Sequence, residues 1–461
     1  MNNIKLLFLL FLVSSGKLIA QGDYFTLGST NNGCNDKVYA ITGVQPQTSV
    51  IYVGGNFTNA GGAPAKYVAK WDQNAFAWTA MQPHGGMNGA VRSLTYMNGT
   101  LYAAGDFIIS DSTDTWHVAK WTGSQWTNLG GGLRGAGIWA LTSYNNELYA
   151  GGYIDTLGFN QGLGIEKWNG SSWVTLGGYG YGVSGANGFH VEALQAYNGE
   201  LYVGGLFSKA GNGSITANNI AKWNGTTWSA LGTGANGEVK CFTVLGSDLY
   251  IGGDFTSVNG VPANRIAKYN GSVWSAVGAG FDTTVFGLNI YRNKVYATGN
   301  FLKSGTDSVL HIARWNGSSW ERVWNGLGIP GINFTGYCLT PNDSSLYVGG
   351  YFTVAGTQAA IDIARIYVVP VGIEELSADN SASVYPNPSD GNVTFQWKKD
   401  NLKRLLIEIY SVDGKLVATK TEKNLLEKST TVNLTNLPEG FYLMKITADN
   451  VVSEGKLIIS R

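Results

Sequence analysis

The sequence predicts an all-β chain: a ring of seven four-stranded sheets closed by its own N-terminal strand, then a small Ig-like β-sandwich. Two interleaved repeats and one shift of composition carry this reading. The first repeat is "IAKWNGTTWSALG" from Ile220, with close copies from Val68, Val118, Ile165, Ile266 and Ile312. The second reads "LYVGGLF" at Leu201, and its Tyr recurs at 52, 102, 149, 202, 250, 296 and 347. These tyrosines stand 46 to 53 residues apart, a period that implies stacked supersecondary units. The shift falls near residue 380. From Ala382 to Arg461, 20 of 80 residues are charged and only four are Gly, whereas the whole chain has 64 Gly and is 13% charged.

Residues 1–20 come first. Lys5 precedes an apolar run from Leu6 to Val13, and small residues extend to Ala20. This is the layout of a secretory signal peptide cleaved after Ala20. No later stretch has the roughly 18 consecutive apolar residues of a membrane span.

Residues 21–370 hold the repeats, and each repeat reads as four strands. "VEALQAY" from Val191 is the innermost, Asn198-Gly199 turns it, and "ELYVGGLF" is the second. A longer loop leads to "NIAKW", and Asn224-Gly225 turns it into "TTWSALG". Asn-Gly between alternating runs favours a two-residue hairpin loop, since both turn residues need positive φ. In "WNGTTW" such a loop pairs Trp223 with Thr226 and sets Trp223 and Trp228 diagonally on one face. "YNGELY" places Tyr197 and Tyr202 in the same relation. Each aromatic clasp contributes about 0.5–1 kcal/mol.

A seventh copy starts at Ile363 and breaks off before its Asn-Gly, so the last unit lacks an outer strand. Tyr24-Phe25-Thr26-Leu27-Gly28 aligns with Trp228-Ser229-Ala230-Leu231-Gly232 and supplies it. A ring closed in this way has no free edge. The third position of the innermost strand holds Ala40, Ser93, Ala140, Ala193, Cys241, Gly287 and Cys338, all small, as strands converging on an axis require. Two of the three cysteines are thereby packing residues, Cys34 is left as a free thiol, and no disulfide framework is expected.

Four antiparallel strands repeated seven times describe a seven-bladed β-propeller. The order of apolar run, Gly-Gly, "KWNGSSW" and Leu-Gly resembles the kelch motif, with a wider gap between Gly-Gly and the first Trp. It is also similar to the repeats of the fungal cortical cell-polarity marker family.

Residues 371–381 read as a linker, and 382–461 as strands broken by Asp-Gly and Pro-Glu-Gly turns, a small β-sandwich. This stretch resembles the type A C-terminal sorting domain of the type IX secretion system of Bacteroidetes. The likeness rests on Tyr385, Pro386, Asn387 and Pro388, on Val412-Asp413-Gly414-Lys415, on the run from Leu437 through Gly440 to Tyr442, and on Lys456-Leu457-Ile458-Ile459. It implies passage of the inner membrane by the signal peptide, then of the outer membrane through the type IX machinery as partner. The product is released or attached at the surface.

Net charge is zero, with 31 basic and 31 acidic residues, which argues against nucleic-acid or anionic-membrane partners. The tight turns lie on one face of the ring and the long, variable connections on the other, so a ligand site belongs on the variable face. Its candidates are Asp106, which follows Ala104-Gly105, with Trp116, Tyr153, Tyr179, Tyr181, Phe281, Asp282 and Tyr351, in or beside the long connections. Exposed aromatics among Gly and Asn suit stacking on sugars or capture of a peptide.

His117 and His311 share a loop-end position with Tyr67, Gly164, Asn219, Arg265 and Asp362, a tolerant structural position. Glu166 stands where other copies have Ala, with no carboxylate mate to name. No His-Glu-x-x-His, paired Cys or P-loop occurs, so no catalytic set, metal or cofactor is assigned. The expectation is an exported or cell-surface propeller that binds a glycan or protein. The alternatives are an extracellular carbohydrate-active enzyme or oxidase, and a structural cell-coat protein.

Overall fold

The computed structural model describes residues 22–459, except 29–32, 45–47, 155–162, 179, 187, 324–330, 343–344, 357, 369–381, 388, 398–401, 412–414, 426–427 and 450. The signal peptide, the linker, Tyr179, Pro388 and Gly414 thus lie outside the described residues. Gly22–Tyr367 form one compact unit, and a second follows from Val368.

Among the described residues of the first unit, seven antiparallel sheets have four strands each, six of them hydrogen-bonded in sequence order from the innermost outward. One runs His190–Tyr197, Glu200–Leu206, Ile220–Trp223 and Trp228–Ala230. The innermost strands pack on one another in a closed cycle. Val38–Gly43 touches Val91–Met97, each successive inner strand touches the next, and Gly336–Asn342 returns to Val38–Gly43. The sheet that closes the cycle is composite: Gly22–Phe25 pairs with Ile363–Val368, followed by Ser345–Gly350 and Gly336–Asn342. The N-terminal strand therefore covers the edge that the truncated seventh copy leaves open.

One hydrogen bond ties sheet to sheet repeatedly. The indole Nε1–H of an outer-strand Trp donates to the carbonyl that ends the outer strand of the preceding sheet. The pairs are Trp126 to Met81 at 3.0 Å, Trp173 to Leu129 at 2.9 Å, Trp228 to Leu176 at 3.0 Å and Trp320 to Val277 at 3.0 Å. Trp78 donates to Leu27 at 2.8 Å, so the seam is locked as the interior junctions are.

The two hairpin types differ from one another. Tyr197 pairs with Glu200 around Asn198-Gly199, both at positive φ, and the Tyr197 and Tyr202 rings meet at 5.3 Å, as the sequence predicts. The "WNGTTW" register needs correction: Trp223 lies directly opposite Trp228, not Thr226. Asn224 Oδ1 accepts the amides of Thr226 and Thr227, and the Asn224 amide donates to Thr227 O. The loop thus moves one residue on, to Gly225-Thr226. The local side-chain cap outweighs the Asn-Gly preference.

In the second unit, a three-stranded sheet (Ala382–Tyr385, Asn392–Trp397, Ser429–Asn433) and a four-stranded one (Leu416–Leu425, Leu402–Ser411, Gly440–Ala448, Val451–Ile459) share one core. Phe395, Trp397, Ile407, Ile409, Ile446 and Leu457 fill it. Two sheets on one apolar core make a β-sandwich.

Candidate functional site

The second repeat motif explains where the site comes from. In every innermost strand the pairing with the second strand skips a residue at the same repeat position, a β-bulge. The skipped residues are Tyr39, Arg92, Trp139, Glu192, Lys240, Phe286 and Tyr337. The bulge presses the carbonyl of an earlier residue against the second glycine of the Gly-Gly pair. A Cβ on Gly55, Gly105, Gly205 or Gly253 would collide with the carbonyl oxygen of Lys37, Ala90, His190 or Glu238. The first glycine leaves room for the next sheet: a Cβ on Gly252 or Gly204 would meet Val285 Cγ1 or Val239 Cγ1 at 2.6 or 2.7 Å.

The bulge re-aims the skipped side chains toward the axis, where they touch in cyclic order. The Arg92 guanidinium lies 4.9 Å from the Tyr39 ring centroid and 5.9 Å from that of Trp139. Trp139 meets His190, the first residue of the next inner strand, edge-on at 4.6 Å. His190 Nε2 is 3.5 Å from Glu192 Oε1, which is 3.6 Å from Lys240 Nζ. Lys240 lies 5.8 Å from the Phe286 centroid, Phe286 contacts Tyr337 at 5.4 Å, and Tyr337 returns to Tyr39 at 5.3 Å. All seven bulged residues are half-buried. Phe286, Tyr337 and Tyr39 form an aromatic arc, and the rest of the ring is charged apart from Trp139.

Each charge on the ring is matched. Arg92 Nε donates to both oxygens of Asp106 at 2.8 Å. Glu238 accepts His190 Nε2 at 2.5 Å and Lys240 Nζ at 2.7 Å, and Asp254 lies 3.9 Å from Lys240. Burial works against the His190 cation, but Glu192 and Glu238 outweigh it and hold the imidazolium up at about 9. Burial also works against the Glu238 carboxylate, but His190 and Lys240 hold it well below the usual carboxylate range. The Trp139 indole N–H is shielded from solvent and has no hydrogen-bond partner among the described residues. Such a donor is costly when left empty.

Among the described residues, one group of three could ligate a metal: His190, Glu192 and Glu238, whose donor atoms lie within 4.8 Å of one another. The Lys240 ammonium already stands between the two carboxylates and supplies a cation there.

The sequence candidates scatter around this ring. Asp106, Tyr153 and Tyr351 share one repeat position, directly after Ala104-Gly105, Gly151-Gly152 and Gly349-Gly350. Asp106 pairs with Arg92, Tyr153 stacks on Phe189 at 5.6 Å, and Tyr351, half exposed, lies under Lys37 and beside Phe334. Trp116 is covered by the Arg134 guanidinium at 3.3 Å, and Tyr181 packs at the edge of the core.

One candidate is corrected. Phe281 is 3% exposed, stacked on Phe301 at 4.0 Å, so it belongs to the core and not to a ligand surface. Asp282 accepts the amides of Leu302 and Lys303, as Asn88 does for Ile108 and Ile109 and Asn236 for Thr256 and Ser257. It is the repeat's loop clamp.

The loop-end position is structural as well: Tyr67, His117, Gly164, Asn219, Arg265, His311 and Asp362 all have φ between 61° and 74°. His117 and His311 turn Nδ1 to the carbonyls of Gly105 and Gly299 at 3.1 and 3.2 Å. Glu166 is buried in its sheet, 1% exposed.

Sequence reasoning named none of the seven bulged residues as a site residue. The signal was nevertheless present: a large, variable residue between an apolar and a small one, opposite Gly-Gly.

Three family models match the chain. Residues 23–184 match the Rax2 C-terminal β-propeller domain, 248–272 a β-propeller domain of unknown function, and 383–460 the secretion system C-terminal sorting domain. No curated protein matches. Among solved structures, the chain is similar to a fungal alcohol oxidase of the AA5 family in complex with copper. That likeness has 13% identity over 92% of this chain and 98% of the other, at a TM-score of 0.45. It is also similar to YjhT, with 13% identity over 64% and 96% at a TM-score of 0.34, and to an acylaminoacyl peptidase of Pyrococcus horikoshii, with 9% over 79% and 59% at 0.38. No helix is long and apolar enough to cross a membrane among the described residues. The chain is a β-propeller followed by a type IX secretion sorting domain, delivered to the outer cell surface or beyond it.

Proposed function

We propose that this exported propeller binds an extracellular ligand, a glycan or a protein, through the bulged ring on its variable face. One internal comparison carries the proposal. In six of the seven inner strands Val or Ile directly precedes the bulged residue, in all seven a small residue directly follows it, and all pair with the same glycine-rich strand. The residue between them is Tyr, Arg, Trp, Glu, Lys, Phe or Tyr. A repeat that holds its scaffold constant and varies one large, half-exposed, axis-facing side chain has the form of a recognition surface. Ile108, Leu206, Leu302 and Phe334 stand exposed on connections of that face, apolar surface that a protein ligand would cover.

The test is binding of the full secreted chain to a glycan array and to a panel of extracellular proteins. Trp139→Ala and Phe286→Ala should abolish what the wild type binds, while Val273→Ala on the opposite face leaves it intact. Undiminished binding in both ring variants would sink the proposal.

A hydrolase reading has one observation in its favour: Glu192 and Glu238 oxygens lie within 4.8 Å, close enough for a carboxylate pair. Such a pair needs one member protonated near neutral pH. Glu238 is held ionised between His190 and Lys240, so it is not that member.

A further inference from the structure

Resting on the binding proposal above, we infer that the ring takes the end of a neutral sugar chain, one pyranose entering along the axis. Three features point there: size, charge balance and the division of the ring into two arcs.

Size comes first. Successive ring members are separated by centroid contacts of 4.6–5.9 Å along the aromatic and cation–π part of the cycle. A circle of so few such steps is too narrow for an α-helix, which needs about 10–12 Å with its side chains. A single flat ring fits it.

Charge decides against ionic ligands. Arg92 is held by both oxygens of Asp106, and Lys240 by Glu238 with Glu192 and Asp254 nearby. A uronate or an ammonium would have to separate one of these half-buried pairs and strand the other partner, which is costly. A hydroxyl needs no such exchange. It donates to a spare carboxylate lone pair and accepts from a spare guanidinium or ammonium proton. Donor and acceptor stand side by side in both pairs, the arrangement that two adjacent hydroxyls satisfy.

The aromatic arc completes the fit. Phe286, Tyr337 and Tyr39, half-buried and in contact with one another, supply apolar surface for the C–H side of a sugar ring, opposite the charged arc for its hydroxyls. Trp139 stands within the charged arc, between Arg92 and His190.

The experiment is saturation-transfer NMR and calorimetry on the full secreted chain, with methyl glycosides of neutral hexoses, the matching uronic acids, and hexosamines. Neutral glycosides should bind with Kd on the order of 1 mM, as ligands of this size allow, and at least ~10-fold more tightly than the charged sugars. Phe286→Ala should weaken them ~10-fold or more. Tighter binding of a uronate or hexosamine overturns the charge assignment. No sugar binding, with a protein ligand lost in the ring variants, overturns this inference and leaves the binding proposal standing. No ligand of either kind at the ring overturns both.

Discussion

Leu27→Ala tests whether the ring is closed as tightly at its seam as elsewhere. Leu27 is fully buried among Val38, Ile51, Phe57, Trp71 and Ile363, and its carbonyl receives the Trp78 indole at 2.8 Å. The substitution removes buried apolar atoms and leaves a cavity, while the carbonyl and its hydrogen bond stay. For a leucine at this depth the cost is about 2–5 kcal/mol. Leu129→Ala is the matched interior control: Leu129 is 3% exposed and its carbonyl receives Trp173 at 2.9 Å. Equilibrium urea unfolding of the full chain, followed by tryptophan fluorescence, should give similar losses for the two variants in the propeller transition. A loss below about 0.5 kcal/mol for Leu27→Ala, beside a full loss for Leu129→Ala, would refute closure by the N-terminal strand, since surface changes are of that size.

Three further outcomes are expected. Gly253→Ala drives a Cβ into the Glu238 carbonyl, a backbone atom that cannot swing aside; it should cost at least about 1–3 kcal/mol by overpacking and impair ligand binding through Lys240, and a variant with wild-type melting would show that the bulge does not require glycine. His190 should titrate near 9 by NMR, against Glu192 and Glu238, and Glu238→Gln should bring the midpoint down. The folded value lies above the ordinary one of about 6.5, so the stability linked to this proton is complete below that pH and is lost as pH rises through about 9; a wild-type midpoint at the ordinary value would contradict the ion network. Burial raises the thiol pKa of Cys34 and Cys241, and that of Cys338 to about 12, so none should react with iodoacetamide in the folded protein at pH 8, and rapid labelling of any would place it at the surface.

The repeats made the architecture legible because both carry backbone information. Gly-Gly, Asn-Gly and the Trp pairs report turn geometry and strand alternation directly, and the missing outer strand could be located 330-odd positions away because "YFTLG" repeats a known pattern. The sorting domain was legible for the same reason, its turn motifs standing in order. The register of "WNGTTW" was read one residue early, since Asn224 can either occupy a turn position or cap it, and only the folded hairpin decides. The ligand candidates fared unevenly. Loop position alone does not tell Phe281, which turns inward onto Phe301, from Tyr351, which stays half exposed.

The sequence by itself determined the repeat unit, its number of copies, the strand that closes the ring and the two-part plan of the chain, because these follow from local patterns that recur. Tertiary structure alone decided which side chains meet at the axis. Arg92 and Tyr39, Lys240 and Phe286, or Tyr337 and Tyr39 lie on different sheets, and in the last case almost at opposite ends of the propeller sequence. A β-bulge turns each of them from the sheet toward the axis, and ring closure brings them into contact. Neither the skipped pairing nor the neighbour across the sheet boundary is written in any one repeat.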